Sequence, residues 1–432
     1  MKVELITIGT EILMGDILNT NAQFLSRQCL QLGLGVFYQT TIGDNYEGIY
    51  NAFQLASQRS DLIIITGGLG PTEDDLTKEV FADFLGETLE VCDIQHEKNI
   101  QYFENKGREM APNNIRQAYT ISNGTTLINQ VGLACGLIYT SERTQGRTDY
   151  VVLPGPPAEL EAMFLNQVVP FIKNEILKSE SMVIQSRYYH LYDIGESAIA
   201  KQIETLITSQ TNPTIALYAK NNMVTIRVTA NACNDKECDI ILSRMEQRLQ
   251  ETLYSPWIGE GEDFTIEQYI IHRCQSLGYT LSAAESLTGG LVQAKLTSIP
   301  GASQVVRGGY VAYQTPMKTQ LLGVPEQTIQ QYSVVSHEVA RSMAERLRER
   351  THSTIAISLT GVAGPDGLAD QLPGTVYIGI AFKDQPVISE VYHFPAPNRN
   401  AVRNRSVNEV MRLLYHLIKN KNKCSYFLDY HV

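Results

Sequence analysis

No stretch of this sequence approaches the roughly 18 consecutive apolar residues that a membrane-spanning helix requires. The opening residues, Met1-Lys2-Val3-Glu4-Leu5-Ile6, read directly as a strand and lack the charged, apolar and small-residue succession of a secretory signal. Both absences predict a cytoplasmic protein with no membrane partner. Cysteine is sparse and scattered, at Cys29, Cys92, Cys135, Cys233, Cys238, Cys274 and Cys424. An odd, dispersed set argues against a disulfide framework. Cys233 and Cys238 form a close pair, but no histidine lies near them in sequence, which favours buried reduced thiols over zinc. Positive charge is also short. The chain carries 35 Lys and Arg against 46 Asp and Glu, for a net charge of −11. The deficit falls in residues 1–170, which hold 10 basic and 21 acidic side chains, while the remainder is balanced at 25 each. With one tryptophan, no basic stripe and no Gly-x-x-Gly loop in residues 180–255, the sequence offers little to nucleic acid. An acidic domain still binds an anionic ligand where its carboxylates grip a divalent cation.

What is present is an ordinary globular composition of 432 residues, 43% apolar and 19% charged, enough for two to four domains at roughly 100–200 residues each. From Val3 the chain alternates strand and helix. Strands are expected at Val3–Ile8, Val36–Ile42, Leu62–Thr66 and Tyr150–Leu153, and helices at Asn21–Leu32, Tyr46–Ser57 and Asp74–Phe84. The βαβ pattern predicts a parallel sheet with helices on both faces, closing near residue 172. Residues 180–255 read as a small α+β connector. Ser255–Gly261 is rich in turn formers and reads as a linker. A second alternating domain follows over about 260–420, then a short, mildly basic tail after Lys419. The sequence shows no internal repeat and no low-complexity tract.

In the last domain, strand Thr280–Ala284 runs into Glu285-Ser286-Leu287-Thr288-Gly289-Gly290 and a helix. Ser286 therefore stands at a strand-to-helix turn, where unpaired backbone N–H groups stabilise an oxyanion or grip a phosphate. Gly289 and Gly290 permit close approach of a ligand. Taken alone, Ser286 or Thr288 reads first as a helix N-cap. A serine nucleophile needs a base, and His272, His337, His352, His393 and His416 all lie outside any serine motif. A desolvated Lys318, helped by the hydroxyl of Tyr313, is the alternative base. A further glycine-rich turn, Thr360-Gly361-Val362-Ala363-Gly364-Pro365, follows a buried strand, the place where open α/β sheets bind ligands. Arg399 and Arg403, four apart at the start of the last helix, either meet an anionic group together or form a solvated face.

In the first domain, Leu62–Thr66 leads into Gly67-Gly68-Leu69-Gly70-Pro71-Thr72-Glu73-Asp74-Asp75. Such a turn makes a nest of N–H groups suited to phosphate, although no Gly-Lys-Ser/Thr follows as in the standard nucleotide loop. Asp74 and Asp75 also read as favourable charges at a helix N-terminus. Gly9–Gly15, Asp44 and Pro154-Gly155-Pro156-Pro157 each follow a strand, so all four segments meet on one edge of the sheet.

Glu285-Ser-Leu-Thr-Gly-Gly, Gly308-Gly-Tyr-Val-Ala-Tyr, Lys318 with Leu322-Gly-Val, and Thr360-Gly-Val-Ala-Gly-Pro fall in the order seen in the CinA family. The last domain resembles that family's C-terminal domain, whose members include nicotinamide mononucleotide amidohydrolases. The resemblance implies an α/β amidohydrolase fold with Ser286 as nucleophile and Lys318 and Tyr313 as its activating partners. It implies a phosphate and ribose site built from Thr288, Gly289, Gly290, Thr360, Arg399 and Arg403, an acyl-enzyme, and no metal there. The first domain resembles the three-layer molybdopterin-binding fold found at the family's N-terminus, and the middle segment its degenerate KH-like module. Some members cleave ADP-ribose with a divalent metal. That likeness makes Asp44 and Asp75 candidate metal or catalytic carboxylates, and Gly67, Gly68, Gly70 and Thr72 a phosphate cradle. The family likeness also implies a homodimer. The alternative is a molybdopterin-binding or competence-related protein without turnover. The sequence departs from the family pattern twice. Leu287 stands where cysteine is usual, and Gln371-Leu372-Pro373 where Lys-Pro-Val often precedes Gly374-Thr375-Val376.

Overall fold

Strand Leu62–Thr66 sets the plan of the first domain. All five of its residues are buried, as a central strand covered on both faces requires. Leu62 and Ile64 enter one core with Leu5, Leu25 and Phe164, whereas Ile63 and Ile65 enter another with Phe53, Phe81 and Tyr150. This alternation is the two-residue period of a strand, and it creates three layers. The computed structural model describes residues 1–143, 146–177, 183–368, 370–395 and 398–419. The expected tail after Lys419, with Cys424, lies outside the described residues. By contacts the chain separates into two compact units, residues 1–186 with 229–245, and residues 187–228 with 246 onward.

The six strands of the first sheet run in the order Gly35–Ile42, Lys2–Ile8, Leu62–Thr66, Gly146–Leu153, Gly136–Arg143, Thr125–Leu127. The first four are parallel. Each of the last two is antiparallel to the strand before it in this order, so the sheet is mixed where the βαβ pattern predicted a parallel one. Helices Thr20–Gln31, Tyr46–Arg59 and Thr77–Leu85 fall close to their expected spans. The third ends at Gly86 in the left-handed conformation, where the absence of Cβ removes the steric cost.

The middle segment forms a four-stranded sheet in the order Thr214–Lys220, Met223–Ala232, Val183–Tyr192, Gly259–Glu260. Asn221 and Asn222 both take positive φ at the tip of its hairpin, the backbone that a tight two-residue turn demands.

The last sheet has five strands, ordered Val306–Val311, Leu281–Glu285, Ile355–Gly361, Thr375–Phe382, Ile388–His393. Its first three strands are parallel and its last two antiparallel to their neighbours. Ile355, Ile357 and Leu359 face one core and Ala356 the other. The pairing of Val306–Val311 with Leu281–Glu285 depends on Gly309, because a Cβ there would lie 1.9 Å from the Ala283 carbonyl oxygen. Parallel strands end on the same edge, so the turns after Leu281–Glu285 and Ile355–Gly361 are brought together.

Candidate active site

Leu281–Glu285 delivers Ser286 at its end, and Ser286 is nearly buried. Its backbone N–H donates to the Leu359 carbonyl at 3.1 Å, tying the turn to the neighbouring strand. Lys318 is 1% exposed, on a single wide turn over Lys318–Leu322. Its Nζ donates to Ser286 Oγ at 3.0 Å and to the Ala312 carbonyl at 2.9 Å. Burial pushes the lysine down to about 8, because desolvation disfavours the charged form. A fraction of Lys318 is therefore neutral near physiological pH, hydrogen-bonded to the one hydroxyl it would need to deprotonate.

Glu285 organises the rest of the turn. Its carboxylate is fully buried and accepts from the backbone N–H groups of Gly290, Val292 and Gln293 at 2.9, 3.1 and 3.0 Å. It thus caps helix Leu291–Thr297 from the preceding strand, where its charge complements the helix dipole. Neither Ser286 nor Thr288 is that helix's cap. The N–H groups of Leu287 and Thr288 keep no partner among the described residues. The Thr288 hydroxyl is buried and unpaired as well. Leu287, in place of the family's cysteine, packs in the core beneath.

The two arginines reach the two glycine-rich turns. Arg403 donates to the Thr288 carbonyl at 2.9 Å, and a Cβ on Gly289 would stand 3.5 Å from its guanidinium. Arg399 donates to the Gly364 carbonyl at 2.9 Å and to the Tyr313 hydroxyl. Tyr313 is 55% exposed. Its hydroxyl is therefore engaged with Arg399, not with Ser286 or Lys318, which differs from the three-way convergence expected. The Thr360 hydroxyl is also committed, donating to the Val334 carbonyl at 2.8 Å, so any contact from it to a ligand would use its lone pairs. In the departing loop, Gln371 pairs with Leu368 through the backbone and Leu372 is exposed.

In the first domain the glycine-rich segments line a cleft of about 500 Å³ with Glu11, Asp44, Asp74, Asp75 and Glu159. Gly67 and Gly68 take φ of +101° and +63°. A Cβ on Gly67 would lie 2.0 Å from the Ile8 carbonyl oxygen, so no other residue fits. Gly70 also lines the cleft. Thr72 is exposed and outside that lining. Its N–H and hydroxyl are both bound to Asp75 Oδ2. Asp44 Oδ2 accepts from the Thr10 N–H and hydroxyl, each at 2.8 Å. Each aspartate so commits one oxygen to a threonine, Asp44 across to the Gly9–Gly15 segment and Asp75 within its own turn. Among the described residues no group of three or more His, Cys, Asp or Glu side chains is arranged to hold a metal. The donor set fits only an ion that brings most of its ligands as water and substrate phosphate, the habit of magnesium.

Comparison with known proteins places the sequence in a family. The sequence matches the CinA C-terminal domain over residues 263–418, the Probable molybdopterin binding domain over 4–174 and the Damage-inducible protein CinA KH domain over 186–257. A competence-damage inducible protein of Streptococcus equi subsp. equi (strain 4047) is 44% identical over 394 residues, 89% of this chain and 91% of that one. One from Bacillus pumilus (strain SAFR-032) is 40% identical over 418 residues, 97% and 98% of the two chains. The chain belongs to the CinA family. Among solved structures, the protein CinA with unknown function from Thermoplasma acidophilum is 31% identical, covering 40% of this chain and all of that one, with a TM-score of 0.36. Competence/damage inducible protein CihA from Agrobacterium tumefaciens is 31% identical over 36% of this chain and 94% of that one, TM-score 0.35. The family includes enzymes. No helix among the described residues is long and apolar enough to cross a membrane.

Sequence reasoning passed over Glu285 in this CinA chain, although a carboxylate ending a buried strand just before a helix was a readable signal. It also passed over Glu159, which sits in the first turn of helix Pro157–Met163 and looks like an ordinary dipole charge.

Proposed function

We propose that the C-terminal site hydrolyses the amide of nicotinamide mononucleotide to nicotinic acid mononucleotide and ammonia through an acyl-enzyme on Ser286. The observation that carries this reading is the buried contact of 3.0 Å between Lys318 Nζ and Ser286 Oγ, with the lysine's affinity for a proton lowered by burial. Neutral Lys318 takes the hydroxyl proton as Oγ attacks the amide carbon. The oxyanion meets the unpaired N–H groups of Leu287 and Thr288. Lys318 then returns the proton to the departing ammonia. A water, deprotonated by the same amine, releases the acid and restores the serine. Arg399 and Arg403 hold the phosphate by charge-assisted hydrogen bonds.

The first domain is read as a site for ADP-ribose, with the Gly67–Gly70 backbone holding its diphosphate. Asp44 and Asp75 would hold a divalent ion there, and the ion would neutralise phosphate charge. The alternative is a pterin-binding protein without turnover. The deciding test is ammonia release from nicotinamide mononucleotide in EDTA, with Ser286→Ala in parallel. Release by the natural protein alone is the expected result. Release by Ser286→Ala as well would sink the serine mechanism, and release by neither would favour the binding-only reading.

A further inference from the structure

Glu159 stands apart from the other carboxylates of the N-terminal cleft. Asp44 accepts from Thr10 of the Gly9–Gly15 segment, and Asp75 from Thr72 of its own turn. Glu159 is half-buried at the cleft wall and rests on a network of amides from two other segments. Gln95, Asn99 and Asn129 are all 0–1% exposed. Gln95 donates to Asn99 Oδ1 at 2.9 Å and to the Leu133 carbonyl at 3.1 Å, and Asn99 to that same carbonyl at 3.0 Å. The Asn129 N–H donates to Gln95 Oε1 at 2.9 Å. Asn129 Oδ1 accepts from Val131 and Gly132 at 3.0 and 2.7 Å. Its Nδ2 donates to the Ala134 carbonyl at 2.9 Å and to Glu159 Oε2 at 2.6 Å. Buried amides are costly unless fully satisfied, and when satisfied they rigidify what they touch. Here they converge on one oxygen of one carboxylate and leave Oε1 without a hydrogen bond among the described residues. The carboxylate also lies flat on Gly132, where a Cβ would fall 2.0 Å from Glu159 Cδ.

We propose that Glu159 is the general base of the N-terminal cleft and that Asn129 is its positioning residue. The inference rests on the reading of that cleft as a phosphoanhydride hydrolase. A water bound beside Oε1 attacks phosphorus, and its proton passes to Glu159. The new P–O bond forms as the bridging P–O bond breaks, and the leaving phosphate departs with the bond's electron pair. Burial holds the Glu159 carboxyl above the ordinary carboxylate range, opposed by the Asn129 hydrogen bond, which moves a carboxylate toward the basicity this role needs. No cation pairs with Glu159 among the described residues. The titratable groups lining the same cleft are Glu11, Asp44, Asp74 and Asp75, and Lys98 donates to the Asn129 carbonyl.

The test is ADP-ribose hydrolysis by the full chain in magnesium buffer from pH 4 to 9, with calorimetric binding of ADP-ribose alongside, for the natural protein, Glu159→Gln and Gly132→Ala. Glu159→Gln is expected to lower kcat by about 100-fold or more, to bind ADP-ribose within about twofold of the natural affinity, and to lose the acidic limb of the pH profile. Gly132→Ala keeps the carboxylate but displaces it, and is expected to lower kcat with that limb retained. Unchanged kcat and pH profile in Glu159→Gln would overturn the proposal while leaving the cleft's activity intact. Loss of binding in step with kcat would also overturn it, as the mark of a structural residue. A natural protein that binds but never turns over ADP-ribose would remove the hydrolase reading itself, and Glu159's role with it.

Discussion

Two glycine-rich turns of this chain, Ser286–Gly290 and Gly67–Asp75, are built on the same plan and finished differently. Each follows a buried parallel strand and opens toward a helix. At Ser286–Gly290 a carboxylate from the strand, Glu285, reaches forward and takes up three backbone N–H groups. At Gly67–Asp75 a carboxylate from downstream, Asp75, folds back onto Thr72. The first arrangement fixes a serine against a buried amine; the second leaves an open cleft of about 500 Å³ walled by separate carboxylates. Helix termini provide donors in both cases, but of the two only the C-terminal turn holds a hydroxyl and a buried amine in hydrogen-bond contact. A preassembled pair is sensitive to single atoms, whereas a dispersed cleft depends on what the ligand brings.

The strongest way to break that contrast is Ser286→Ala. Ammonia release is expected to fall by at least about a thousandfold, since loss of a nucleophile leaves only binding and oxyanion stabilisation. ADP-ribose turnover is expected to stay unchanged. A parallel fall in both activities would show that the two sites are not independent.

Lys318→Met separates chemistry from stability. It is expected to lower kcat about as far as the serine change, and to raise stability. The lysine's folded-state value of about 8 lies below its ordinary 10.5, so the folded state binds fewer protons than the unfolded chain. The cost of a buried charge is therefore fully present below pH 8 and disappears as pH rises from 8 toward 10.5. Two to three pH units correspond to about 3 kcal/mol, which methionine recovers near pH 7 while keeping the buried stem. Denaturant midpoints at pH 7 and pH 10 measure it: the gain should shrink at the higher pH. In the natural protein, kcat should rise with pH through about 8, as the base loses its proton. A flat profile between pH 6 and 9 would count against lysine as the base.

Glu285→Gln is expected to cost less, about 10- to 100-fold in kcat, because an amide oxygen replaces only part of what a carboxylate gives three N–H donors. KM should change little if the loss comes from a loosened turn. A variant indistinguishable from the natural protein would mean that the backbone alone sets the position of Ser286.

Much of this was legible in the sequence. Leu62–Ile65 is an uninterrupted apolar run, and the strand it begins, Leu62–Thr66, matches the expected bounds. Helix Thr77–Leu85 follows apolar spacing with a glycine stop at Gly86. The antiparallel strands Gly136–Arg143 and Thr375–Phe382 were not anticipated. The first alternates apolar and polar residues only briefly, and the second begins in a loop whose sequence departs from the family's pattern. Ser286, Lys318, Arg399 and Arg403 were found because each lies in a motif of unusual residues. Glu285 and Asn129 escaped because their roles depend on partners supplied by packing: three N–H groups of the next helix in one case, and Gln95 on a distant helix in the other. Asp75 and Thr72 were singled out for reaching a ligand, yet a turn closed between them satisfies both. Composition does not reveal which polar residues will spend their hydrogen bonds locally.

Tyr313→Phe is the smallest expected change and the sharpest test of a role assigned by likeness. The family resemblance makes this tyrosine an activating partner of Ser286, but its hydroxyl is bound to Arg399 and its ring is largely exposed. A hydroxyl that oriented the arginine would act on phosphate binding. Its removal would then raise KM for nicotinamide mononucleotide by about two- to fivefold, the worth of one exposed hydrogen bond, with kcat and its pH dependence unchanged. A hydroxyl that relayed the serine proton would act on the chemical step. Its removal would lower kcat by about 100-fold at saturating substrate. Arg399→Lys discriminates further, since lysine keeps the charge but loses the planar fork that reaches both Gly364 and Tyr313. If Tyr313 works through Arg399, Tyr313→Phe has no additional effect in the Arg399→Lys background; if it works on Ser286, its effects multiply with those of the arginine change.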